Sequence, residues 1–219
     1  MKAKRNYVAF ALLMLAFLAL LAAVLKVDVK PIGPEGSSIG LATLNGYVKD
    51  TVGVSLIWYQ VTEYLGYLAL AVVPAFGLFG LIQLIRRRSF LKVDTDLYIL
   101  ALFYGLVAGT YLLFEKVIIN YRPVILDEGL EASFPSSHSM LVVAIMGTAA
   151  YQLASRVKND GLRIFLVVLC WVIAMTTVIG RLLSGVHWFT DIIAGAVLAD
   201  AYVMLYVAVV RSLKMRKRD

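Results

Sequence analysis

Residues 7–27 read YVAFALLMLAFLALLAAVLKV, a run of twenty-one positions with one charged side chain, Lys26. A helix of about 20 apolar residues covers the hydrocarbon core of a bilayer, so this run is long enough to cross one. Further apolar runs follow at about 58–85, 95–115, 138–155, 163–183 and 188–210, separated by polar strings. With 61% hydrophobic residues, 16% charged residues and a mean hydropathy of +0.84 over 219 residues, the chain is too apolar for a water-soluble domain. The expected fold class is all-α: a polytopic membrane protein whose residues 1–219 form a single domain, six transmembrane helices in one bundle.

The first run follows Met1-Lys2-Ala3-Lys4-Arg5 and so has the flank of a signal peptide. Its apolar core is longer than the usual signal core, and more spans follow, which favours an uncleaved anchor. Fifteen of the 21 Lys and Arg residues fall on the side that carries both termini. They cluster at 2–5, 86–92, 156–163 and 211–218. Lys26, Lys30, Lys49, Lys116, Arg122 and Arg181 fall on the other. Positive charge collects on the cytoplasmic face, so the expectation is an integral plasma-membrane protein with both termini cytoplasmic. The net charge of +7 does not point to nucleic acid, because the basic residues punctuate apolar runs instead of sharing one soluble face. The lone Cys170 lies inside an apolar run and reads as a packing residue.

Between the first two runs, Pro31-Ile32-Gly33-Pro34-Glu35-Gly36-Ser37-Ser38 is turn-rich and ends the first helix. Residues 39–54 then mix apolar and polar positions. They read either as a short amphipathic piece on the outer membrane surface that covers an entrance, or as an ordinary connector.

Three polar strings fall on the outer side, and they hold the only two histidines of the chain. The first is Lys116-Val117-Ile118-Ile119-Asn120-Tyr121-Arg122-Pro123, where Pro123 favours termination of the third span. The second, Pro135-Ser136-Ser137-His138, opens the fourth span. Hydroxyls and free N–H groups at a helix start favour an anion. The third carries Arg181, then His187 and Asp191. If the sixth span is already helical there, the last two share a face at i and i+4, and the carboxylate holds one ring nitrogen. Taken singly, each residue has a plain use: an interfacial anchor for Lys116, Arg122 or Arg181, a cap or packing residue for His138, a structural hydrogen bond for His187 with Asp191. Together, cations and a helix N-terminus at one level of a bilayer form a site for a phosphate.

At these residues the sequence resembles the type-2 phosphatidic acid phosphatase superfamily, whose motifs run Lys-x6-Arg-Pro, Pro-Ser-Gly-His and Ser-Arg-x5-His-x3-Asp. The resemblance spans Lys116 to Asp191 by motif and the whole chain by its six-span layout. It implies that His187 attacks phosphorus to form a phosphohistidine, Asp191 orients it, and His138 protonates the leaving oxygen. Lys116, Arg122 and Arg181 would hold the phosphoryl oxygens, with Ser136, Ser137, His138 and their backbone N–H groups completing the cradle. No cofactor and no metal are implied. The partner is a lipid phosphate within the bilayer, with the site on the outer side; phosphatidylglycerol phosphate, phosphatidic acid and undecaprenyl diphosphate all fit. A phosphotransferase using the same intermediate is an alternative.

Three departures from the motifs stand out. Ser137 replaces the glycine of the second motif, and Gly180 stands where the third has serine. In the first motif five residues, not six, separate Lys116 from Arg122, and Glu115 occupies the lysine position. A one-residue shift turns a helix by about 100°, so Lys116 points away unless the helix is distorted.

Three rival classes are weaker. Zinc catalysis usually takes three protein ligands, and the outward acids Glu115, Asp127, Glu128 and Glu131 form no second ligand spacing with His138. A serine hydrolase using Ser136, Ser137 or Ser184 lacks a Gly-x-Ser-x-Gly elbow. An anion transporter requires polar or broken spans at mid-membrane, where Asp200 is the one clear candidate, roughly 13 Å along the helix from Asp191.

The charge count makes a direct prediction. In sealed cells a cysteine introduced by Ser37→Cys or Glu128→Cys should react with an impermeant thiol reagent, and one introduced by Asn159→Cys should not. Labelling at 159 alone would invert the topology.

Overall fold

The computed structural model describes residues 2–126 and 129–216. Asp127, Glu128, Lys217 and Arg218, which enter the charge and ligand arguments above, lie outside the described residues. The helices are α1 (Lys2–Lys26), α2 (Ala42–Val52), α3 (Leu56–Arg87), α4 (Thr95–Lys116), α5 (Ser137–Arg156), α6 (Asp160–Ser184) and α7 (Phe189–Arg216). Among the described residues, extended pairing is limited to two isolated bridges, Lys30 with Ile39 and Tyr121 with Ala132. The chain is therefore an all-helical membrane protein.

Five helices, α1, α3, α4, α6 and α7, are long and apolar enough to cross a membrane. The expectation of six such runs is met by five, and the position of α5 explains the shortfall. It packs against α3, α6 and α7, and every residue from Val142 to Ala150 is buried. A helix screened from lipid by its neighbours needs no apolar outer surface. It can therefore carry Ser139, Thr148 and Gln152 inside, with Thr148 donating back to Ala144 C=O at 2.9 Å.

Around α5 the core draws on Phe17 and Val24 of α1, Leu100 and Phe103 of α4, Ile173 of α6 and Leu198 and Tyr206 of α7. Phe17, Phe114 and Phe134 pack as an aromatic trio with centroids 6.1–6.2 Å apart, tying α1 and α4 to the segment that leads into α5. At one end of the bundle Arg156 reaches both Asp94 (2.7 Å) and Asp96 (2.6 Å). Arg87 joins Asp94 and Lys214 joins Asp96. This ionic staple binds α3, α4, α5 and α7 where three of the basic residues counted above meet.

Two local expectations change. Helix α4 ends at Lys116, well before Pro123. The β-branched run Val117-Ile118-Ile119 follows, with Val117 already at φ −96°, ψ 84°, so the proline does not terminate it. In the connector, residues 42–52 form the helix α2, anchored by buried Asn45. The Asn45 amide donates to Thr190 Oγ1 (3.0 Å) and its carbonyl accepts from Thr190 N–H (3.2 Å). The connector is thus fastened to the start of α7.

Close helix approach depends on glycine. A Cβ at Gly195 would lie 2.6 Å from Ser136 C=O, and one at Gly147 would lie 2.9 Å from Val203 Cγ2. These positions let α7 lie against α5. Gly195→Ala should lower the thermal midpoint of the detergent-solubilised protein by an overpacking cost of about 1–3 kcal/mol. Gly109→Ala, which meets nothing within 4 Å, should be neutral or stabilising by up to about 1 kcal/mol. Equal midpoints for the two variants would contradict this packing.

Candidate active site

The segment between α4 and α5 folds back on itself. Arg122 N–H donates to Glu131 C=O and Ser133 N–H to Asn120 C=O, both at 3.0 Å, beside the Tyr121–Ala132 bridge. This pairing presents Asn120 and Ser133 to the start of α7. Trp188 Nε1–H donates to Tyr121 C=O at 2.7 Å and holds the segment there.

Helix α7 begins at Phe189, so His187 precedes it and does not share a helical face with Asp191, as the four-residue spacing suggests. The two are joined through a third residue. Ser133 Oγ–H donates to Asp191 Oδ2 at 2.6 Å, and the same oxygen lies 3.0 Å from His187 Nδ1. A hydroxyl has one proton to give, so Ser133 accepts from Nδ1–H, which assigns the proton to Nδ1 and leaves Nε2 with its lone pair. The remaining Asp191 oxygen accepts from Asn120 Nδ2 (3.0 Å), and Trp188 N–H adds a contact to Oδ2 (3.2 Å). Asp191 is wholly buried, and these donors stand in for water. Burial, with the charges of Arg122, Arg181 and His138, pushes the pKa of His187 well below its ordinary value. That direction favours the neutral ring, the form in which a free nitrogen lone pair is available.

Two arginines and the second histidine surround it. Arg181, wholly buried, lies 5.3 Å from the Tyr59 ring centroid and donates through Nη2 to Glu63 Oε1 at 2.5 Å. His138 Nε2 is 3.2 Å from the same oxygen. Arg122 Nε lies 3.1 Å from Glu131 Oε2 without hydrogen-bond geometry. Buried nitrogens without a hydrogen-bond partner among the described residues include Arg122 Nε, His138 Nδ1, Arg181 Nε and Nη1, and His187 Nε2. Their concentration around one place is the mark of an anion site, because an unsatisfied buried donor is costly.

Ser136 plays a different part from the one expected. Its N–H donates to Asp191 C=O at 2.9 Å, and its hydroxyl caps α5 by accepting from Ser139 N–H. It joins α5 to α7, and the N–H groups of Ser137 and His138 in the first turn are left for an anion. Ser137 lines a narrow cleft with Tyr111, Glu115, Ser133 and His187. Lys116 is exposed at the end of α4 and has no hydrogen bond or ion pair among the described residues. The structure thus gathers Arg122, Ser136, Ser137, His138, Arg181, His187 and Asp191, and leaves Lys116 aside. Glu115, in the motif's lysine position, faces the cleft instead. Gly180, where the motif has serine, is explained by packing: a Cβ there would sit 2.6 Å from Thr62 Cγ2 and 3.1 Å from Trp58 Cε3.

Sequence reasoning passed over Asn120, Ser133 and Glu63. Glu63 carried a usable signal, since it is an acid inside the apolar run 58–85, and the rule that singles out Asp200 applies equally to it. Asn120 and Ser133 had none beyond being polar near the motifs. Asp200 itself is half-buried in α7, with no hydrogen bond among the described residues.

The family model described as the PAP2 superfamily matches residues 66–215. Among solved structures, the chain is similar to the crystal structure of a transmembrane PAP2-type phosphatidylglycerolphosphate phosphatase from Bacillus subtilis. The identity is 20% and the TM-score 0.68, covering 94% of this chain and 96% of that one. No curated protein matches the chain by sequence.

Proposed function

The chain belongs to the PAP2 superfamily, and from that premise we propose that this membrane phosphatase cleaves the terminal phosphate of a membrane lipid through a phosphohistidine on His187. The observation that carries the reading is the set of buried nitrogens of Arg122, His138, Arg181 and His187 that lack a hydrogen-bond partner among the described residues and act electrostatically on one another. His187 Nε2 attacks phosphorus while His138 gives a proton to the departing lipid oxygen. Water then attacks the phosphohistidine, the P–N electron pair returns to Nε2, and His138 takes the water proton. The Asp191–Ser133 link keeps the Nδ1 proton and ring orientation in place throughout. Arg122, Arg181 and the first-turn N–H groups of α5 stabilise the charge on the equatorial oxygens.

A lipid substrate fits the surroundings. The site lies at the ends of apolar helices, and from Glu63 to Val73 along α3 is about 15 Å. An apolar cavity of about 400 Å³ between α3 and α4 has its near edge there, at Val73, and runs on past Leu84 to Phe90 and Val93 toward the opposite end of the bundle. Phosphatidylglycerol phosphate, phosphatidic acid and an isoprenyl diphosphate share the needed chemistry. With α5 counted as the sixth span, the bundle crosses the membrane an even number of times. Both termini then lie on one side, and the positive charge at 86–92 and 156–163 favours the cytoplasm for that side, with the site facing outward.

Phosphate release from these lipids by the purified protein tests the reading. His187→Ala should abolish turnover with the fold intact, vanadate should inhibit, and excess chelator should leave the rate unchanged. Arg122→Ala and Arg181→Ala should each lower kcat/KM by about two to three decades, on the order of 2–4 kcal/mol. Lys116→Ala should cost less than tenfold. Because the neutral ring is the reactive form and its pKa is pushed down, the acid limb of kcat/KM should lie below the ordinary histidine value of about 6.5. Loss of activity to chelator with recovery on adding zinc would overturn the proposal.

A further inference from the structure

Each of the two histidines has its own carboxylate, and the two are arranged differently. Asp191 acts on His187 through a hydroxyl, and its charge is shared among the donors Ser133, Asn120 and Trp188 N–H. Glu63 touches His138 directly, Oε1 to Nε2 at 3.2 Å. A carboxylate diluted by neutral donors and set one hydroxyl away does little to favour an imidazolium. One in direct contact favours it more. Gly66, one turn along α3, completes the arrangement: a Cβ there would lie 2.8 Å from His138 Cδ2 and 3.1 Å from Nε2. The imidazole therefore lies on bare α3 backbone with its Nε2 edge toward Glu63.

Glu63 stands outside the stretch 66–215 matched by the family and belongs to none of the three motifs. Resting on the phosphatase reading above, we infer that Glu63 is a positioning residue that holds His138 Nε2–H and so makes His138 Nδ1 the proton donor to the leaving oxygen. The groups facing His138 are Glu63 from α3, Arg181 from α6, Arg122 from the α4–α5 segment and His187 before α7. The two arginines oppose a positive ring, and Glu63 is the anion in contact with it. The same oxygen also accepts from Arg181 Nη2, leaving Arg181 Nε and Nη1 for the phosphoryl group.

The proton accounting follows. As the P–N bond to His187 Nε2 forms and the bond to the lipid oxygen breaks, that oxygen takes the proton of His138 Nδ1. When water cleaves the phosphohistidine, Nδ1 takes a proton back. Glu63 stays ionised through both steps and keeps Nε2–H.

The test compares a lipid phosphate, whose alkoxide leaves poorly, with an aryl phosphate, whose phenolate needs little protonation. Glu63→Gln should lower kcat by about 100-fold on the lipid and by less than about 5-fold on the aryl ester. Glu63→Asp should restore most of the lipid rate. In a His138→Ala background Glu63→Gln should add almost nothing. Gly66→Ala, which presses on the ring and leaves the Glu63–Arg181 pair in place, should show the same leaving-group pattern. It carries the test if Glu63→Gln does not fold. Equal losses on both esters, as expected if Glu63 acts only through Arg181, would overturn the inference, and so would additive losses or an unchanged rate. Wild-type protein that releases phosphate from neither ester would instead sink the phosphatase reading itself.

Discussion

A carboxylate with no access to water must have its oxygens occupied, and the buried Asp191 is the point from which the rest of the site is built. Asn120 and Ser133 reach it only because the α4–α5 segment doubles back. Trp188 N–H reaches it because the chain turns just before α7. Its backbone carbonyl takes the N–H of Ser136 and so fixes the start of α5. His187 is held at the end of this chain of bonds, its Nδ1 proton directed at Ser133 and its Nε2 open. Remove the carboxylate and several donors lose their acceptor at once, which is costlier than the loss of one contact.

The bundle serves this arrangement. The central helix α5 is shielded by α3, α6 and α7, so its N-terminus can sit among the ends of other helices with its first-turn N–H groups free. Gly195 brings α7 against that N-terminus, and Gly180 brings α6 against Trp58 and Thr62 of α3. These approaches place Arg181 and Glu63 beside His138. The ionic staple of Arg156 with Asp94 and Asp96 secures the opposite end, far from the reacting groups.

Much of this was legible in the sequence. Apolar runs longer than a bilayer is thick can be little else than helices, and the observed ends fall within three residues of those read except at the start of α1 and the end of α7, where the helices run on into polar residues. Arg122, His138, Arg181, His187 and Asp191 stood out because charged and titratable groups are rare among such runs. Reading failed where it assumed regular local geometry. The spacing of His187 and Asp191 suggested a helical pair, yet the helix starts two residues too late and a serine fills the gap. Ser133 and Asn120 become partners of Asp191 only through a turn whose path no periodicity encodes. The one-residue shift at Lys116 was visible in the motif spacing, and Lys116 stands exposed at the end of a regular α4.

The central claim is that His187 carries the phosphoryl group. The protein should be mixed with a lipid phosphate labelled in its terminal phosphate, quenched in alkaline denaturant within one turnover, and digested for mass spectrometry. The expected result is a base-stable, acid-labile phosphoryl group on the peptide containing His187, absent from His187→Ala and accumulating in His138→Ala, where the water step is slowed. A labelled serine peptide, or no protein-bound phosphate at any time while product forms, would contradict it.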